Sequence, residues 1–171
     1  MNEAPTIFHR DDVLCVAAWR DVMLELWSAE GTIEHFRVVR AVSRRIVDRA
    51  PGNRVCLVSS VQVPALKTVP QDVRSEMVAR DRELAPNLVA AALVVSSKGF
   101  VASIVRSMLA GLQMTSATRA PSRVFDDELT AMAWLAPHVS SIGTRACTPG
   151  DLRNAIAAAR GAPPTRALHA L

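Results

Sequence analysis

Asn87-Leu88-Val89-Ala90-Ala91-Ala92-Leu93-Val94-Val95-Ser96-Ser97-Lys98-Gly99 is the stretch that decides the fold. From Leu88 to Val95 it is apolar without interruption, β-branched toward its end and bounded by turn-forming residues. An apolar run of strand length between such boundaries reads as a buried strand. Ser96-Ser97-Lys98-Gly99 then leads into a helix carrying Phe100, Ile104, Met108 and Leu112 at intervals of four.

Working back from it, Pro70 opens a helix whose inward positions are Val73, Met77 and Leu84 and whose other face is densely charged. Val55–Val58 reads as a second buried strand, with a loop from Ser59 to Val69. Before it, Thr32 is a helix N-cap with His35 at the capping-box position. Phe36, Val39, Val42 and Ile46 form the apolar stripe of that helix, Arg37, Arg40 and Arg44 lie opposite, and Pro51-Gly52-Asn53 ends it. Val13–Trp19 and Val22–Trp27 read as a hairpin about Arg20-Asp21. Working forward, 113–122 is a loop and Arg123-Val124-Phe125 a short strand. Asp126 or Asp127 caps a helix bearing Leu129, Met132, Ala133, Trp134 and Leu135. Beyond Pro137, Thr148-Pro149-Gly150-Asp151 starts a short Ala-rich helix to about Arg160, followed by a breaker and a frayed tail. The expected architecture is α/β: a single small mixed sheet with covering helices over 1–137, and a C-terminal helical extension over 138–171.

Composition narrows the class. A chain of 171 residues, half of them apolar, holds one substantial core. No apolar run reaches the ~20 residues of a membrane-spanning helix, and Met1–Pro5 does not read as a secretory signal, so a cytoplasmic location is expected. Cys15, Cys56 and Cys147 are too few and too scattered for a disulfide framework or a zinc knuckle. The net charge of +4 is carried almost wholly by arginine, Lys67 and Lys98 being the only lysines. Charge of this size bears on solubility and loose association.

The order of strands and helices is similar to that of the STAS-like superfamily, in particular its SpoIIAA-like branch. The resemblance covers residues 10 to 136. It is sharpest in Arg123-Val124-Phe125-Asp126-Asp127 followed by Ala131-Met132-Ala133-Trp134-Leu135, which resembles the branch's closing strand and helix, and in Leu93-Val94-Val95, which resembles its penultimate strand. It implies regulatory or binding work without catalysis. Some relatives are switch proteins phosphorylated on Ser or Thr at a strand–helix junction and bound by a kinase; others share a lipid-carrier-like architecture. The corresponding junction here is Ser96-Ser97-Lys98-Gly99, preceded by Val95 where the switch motif has Asp.

The individual residues give the following candidates. Ser96 and Ser97, ahead of a helix, suit either an N-cap or a phosphate. Arg106 is the one charge well inside an apolar helix, suiting an anion contact or a snorkelling side chain. Arg37, Arg40 and Arg44 form either a solvated face or a basic interaction face. With no aromatic platform and no helix-turn-helix or zinc-finger signature, nucleic acid is not the expected partner. Cys147, near a helix start, would have a depressed pKa, yet no base is identifiable for it, and none of the four histidines stands at metal-ligand spacing. No cofactor or metal is called for. The expectation is a non-enzymatic domain that binds another protein, with the apolar Phe100–Leu112 face suited to self-association. An apolar-ligand or lipid carrier is the first alternative, and a small enzyme using Cys147 or a histidine the second.

Overall fold

The computed structural model describes residues 3–62, 69–95, 120–143 and 145–161. The helix expected to follow Ser97, Arg106 within it, and the tail from 162 lie outside the described residues. Among the described residues six strands form one sheet in sequence order: β1 (Thr6–Arg10), β2 (Leu14–Trp19), β3 (Val22–Trp27), β4 (Val55–Val61), β5 (Leu88–Val95) and β6 (Ser122–Phe125). β1, β2 and β3 pair antiparallel, and β3 to β6 pair parallel, so the sheet is mixed. The α-helices among the described residues are α1 (Ile33–Arg49), α2 (Gln71–Leu84), α3 (Glu128–Ile142) and α4 (Pro149–Gly161).

The expected buried strand, Leu88–Val95, forms with those bounds. The β2–β3 hairpin also forms: Trp19 pairs with Val22, leaving Arg20-Asp21 as a two-residue turn. Arg20 adopts φ 50°, supplying the positive φ that a tight hairpin turn needs at its first position. Two expectations are corrected. β4 runs on to Val61 instead of stopping at Val58, because Ser59, Ser60 and Val61 find partners on both sides, in β3 and in β5. Central ladder bonds outweigh the weak strand preference of two serines. β1 was not expected at all. It is an edge strand with a bulge between Ile7 and His9 that places Phe8 and His9 on one face.

Each face of the sheet has its own core. Leu14, Val16, Met23, Val55 and Leu57 meet the α1 stripe of Val39, Val42, Ile46 and Val47, joined by Leu84 of α2. On the other face Ala17, Leu24, Val58, Ala92 and Val94 meet Met132, Leu135 and Val139 of α3. Leu152, Ala155, Ile156 and Ala159 of α4 belong to that same core. Full burial of such a Leu, Val or Met contributes about 1.5–3 kcal/mol. α3 continues through Pro137, whose ring lies on the exposed side, where a helix carbonyl left without its amide can turn to water.

Local chemistry sets the ends. The Thr32 amide donates to His35 Nδ1 at 3.0 Å, so histidine does the work of Glu in the capping box. Asp127, of the two candidates, caps α3 by accepting from the Thr130 amide at 2.8 Å. Thr148 and Asp151 form a reciprocal box at α4: the Thr148 amide donates to Asp151 Oδ2 at 2.9 Å and the Asp151 amide to Thr148 Oγ1 at 3.1 Å.

Candidate functional site

The register aligns one row of residues across all six strands near the carboxyl ends of the parallel ones: Arg10, Cys15, Leu26, Ser60, Val94 and Phe125. In open α/β sheets ligands approach at that edge. Arg10 and Ser60 are the polar members, and Arg160 of α4 ties them together. Arg10 Nη1 donates to the Arg160 carbonyl at 2.9 Å and Arg160 Nη2 donates to Ser60 Oγ at 3.0 Å. Arg160 also pairs with Glu128, the first residue of α3, and Ser60 donates to Glu128 Oε1 at 3.2 Å. The Ser60 side chain is fully buried. With its hydroxyl enclosed and its partners a carboxylate and a guanidinium, this cluster holds three elements together rather than presenting a nucleophile. The chain leaves β5 one residue past this row, at Val95. Ser96 and Ser97 follow it directly in sequence and themselves lie outside the described residues, as does Arg106.

On the opposite face the aligned row is His9, Val16, Glu25, Ser59, Leu93 and Val124. Glu25 is buried at the centre of the sheet, with only 5% of its side chain exposed, and pairs with Arg80 of α2. A buried carboxylate needs such a counter-ion. Arg80 also reaches Asp81 at 2.9 Å. One sequence signal for Glu25 existed: it is the single charge in an otherwise apolar strand.

Arg37, Arg40 and Arg44 do share a face of α1, as the spacing requires, but carboxylates meet them there. Arg37 pairs with Glu34 at 2.6 Å, Arg40 with Glu76 at 3.0 Å and with Glu83, and Arg44 with Glu83 at 2.6 Å. Both guanidiniums hold the Glu83 carboxyl well below its usual range, at about 2. Arg40 and Arg44 thus form the α1–α2 seam, while Arg37 pairs within α1. The acceptors sit more than thirty residues downstream (Glu76 and Glu83), so no local pattern revealed them.

All three cysteines are free and buried. Burial pushes the Cys56 thiol up to about 12. The depressed pKa expected for Cys147 is corrected: desolvation raises it, Arg20 opposing and Asp151 adding, because the residue is packed into the core ahead of α4. His35 is a capping histidine. Its Nδ1 accepts from Thr32, which leaves the proton of the neutral ring on Nε2, 3.3 Å from Asp11 Oδ2. His9 Nε2 lies 2.9 Å from the same oxygen. Burial acts to raise the Asp11 carboxyl, but the Leu14 and Val13 amides and His9 outweigh it and lower the pKa. Among the described residues no group of three His, Cys, Asp or Glu is disposed to hold a metal ion. No helix among them is long and apolar enough to cross a membrane.

No protein-family model matches the chain, and no curated protein matches it in sequence.

Proposed function

We propose that the chain is a non-enzymatic, STAS-like interaction module whose work is to bind another protein at the carboxyl edge of its parallel strands, under the control of the Ser96-Ser97 junction. The observation that carries this reading is positional. β5, paired with β4 on one side and with β6 over Ala91–Val94 on the other, ends at Val95, one residue past the row that holds Ser60 of the Ser60–Glu128–Arg160 cluster, and Ser96-Ser97 is the next pair in the sequence. The raised thiols and the enclosed Ser60 hydroxyl support binding over nucleophilic catalysis.

The test is affinity for the protein that co-purifies with the tagged chain from its own host. Ser97→Glu places a negative charge at the junction. It is expected to change that affinity about tenfold or more, equivalent to about 1.4 kcal/mol, with an unchanged thermal melt, while Ser97→Ala stays near the native value. Equal affinity for all three chains would remove the switch, and absence of any bound protein would remove the interaction reading.

A further inference from the structure

Charge on α2 is sorted by face. Glu76 and Glu83 turn toward α1 and are engaged by Arg40 and Arg44, while Arg80 turns toward Glu25. The remaining cations, Arg74 and Arg82, are exposed on the other side, and no ion pair among the described residues engages either of them. Asp81, at the flank of that side, is held by Arg80. Between the two arginines, in the same i, i+4, i+8 row, stands half-buried Val78, with Gln71, Ser75 and Ala79 beside it. These residues line a concavity of about 640 Å³. The row spans about 12 Å at the helical rise of 1.5 Å per residue. It is too long for one phosphate to bridge, and its order is cation, apolar, cation.

We propose that this outward face of α2 docks an acidic segment of a partner protein, one presenting two carboxylates about 12 Å apart with an apolar residue between them. The inference rests on the interaction-module reading and adds to the carboxyl edge a second contact face, with the chemistry of the partner segment that meets it. Charge complementarity selects the occupant. Arg37, Arg40 and Arg44 of α1 have spent their charge on carboxylates of the chain and Arg45 and Arg49 lie over the Phe8 ring, whereas Arg74 and Arg82 have no carboxylate of their own among the described residues.

The probe is a labelled helical peptide carrying Glu, Leu and Glu at i, i+4 and i+8, titrated with the full chain and followed by fluorescence anisotropy. The native chain is expected to prefer it to the same peptide with Gln for Glu, with affinity falling as salt rises. Arg74→Glu with Arg82→Glu is expected to weaken binding about tenfold or more, since like charges then face each other. Arg74→Gln with Arg82→Gln should weaken it less. Arg145→Glu with Arg153→Glu, the same change in net charge placed around the start of α4, should leave it within about twofold of native. Equal loss in both reversed pairs, or no preference for Glu over Gln, overturns the inference. So does tighter binding of single-stranded DNA or phosphatidylserine vesicles that disappears in the Arg74, Arg82 variant. If the host partner still binds and responds to Ser97 while the peptide fails, the docking face is wrong and the interaction reading stands.

Discussion

Glu25 carries the largest single-residue consequence. Removing one member of a buried pair leaves the other charge without compensation and costs about 3–5 kcal/mol. Glu25→Ala is therefore expected to lower the urea midpoint far more than Glu34→Ala, whose Arg37 partner is exposed and worth about 0–1 kcal/mol. Equal small losses would mean that Arg80 reaches water when Glu25 is gone. The double change Glu25→Leu with Arg80→Met should recover most of the loss, because apolar pairs of similar volume often replace a buried ion pair without cost. Gly31 is a second sensitive position, for steric reasons. A Cβ there would overlap the Trp27 ring, which is buried and stacked on Phe36 at 4.8 Å. Gly31→Ala should cost about 1–3 kcal/mol through forced repacking, and a melt within one degree or so of native would show that the ring has room to move.

At the scale of elements, α2 stands apart. Apart from Leu84, which joins the α1 core, its contacts with α1 and β3 run mainly through Arg40, Arg44, Arg80 and their carboxylates, and Val73 and Leu84 are its only buried residues. Salt screens such pairs, the Debye length shrinking from about 10 Å at 0.1 M to about 3 Å at 1 M. Amide protection in α2 should fall over that range while α3, held by Ala131, Met132, Leu135, Ala136 and Val139, keeps its protection. Acid acts on the same seam. Glu83 titrates at an ordinary 4.5 when unfolded and at about 2 when paired, so its contribution is complete above about 4.5 and is lost as pH falls toward 2. Glu83→Gln should flatten the stability profile in that window, and an unchanged profile would assign acid sensitivity to other carboxylates such as Asp11 and Asp127. The same element marks how far the sequence could be read. Leu88–Val95, the α1 stripe and the Thr148–Asp151 start were legible because their signals are local: period, cap and breaker. β1 was not, since Thr6–Arg10 is short, bulged and paired only along one edge. The seam was not, since its partners lie far apart in sequence and only the crossover from β4 to β5 sets them side by side.

For the whole molecule, the question is what α4 contributes. Composition and the proline at 137 made the C-terminal stretch look appended. Its packing is that of a core helix: Leu152, Ile156 and Ala159 are essentially fully buried, Ala155 nearly so, and the Cys15 thiol faces the Ala159 carbonyl at 3.7 Å. Its far end is fastened to three separate elements through Arg10, Ser60 and Glu128. Removing residues 149–171 would uncover Cys15 and Ala17 in β2 and strip Glu128 of its cation, leaving an apolar strip on one face of the sheet. Loss of two large buried side chains alone costs about 3–6 kcal/mol, comparable to the whole stability of a domain, about 5–15 kcal/mol. The truncated chain is therefore expected to be aggregated or molten, judged by dye binding and the absence of a cooperative melt. Arg160→Ala, which cuts only the fastening, should leave a cooperative melt lowered by about 1–3 kcal/mol. A truncated chain that stays monomeric and melts cooperatively would return α4 to the status of an extension, and would make the face it covers, rather than α2, the first surface to probe for a partner.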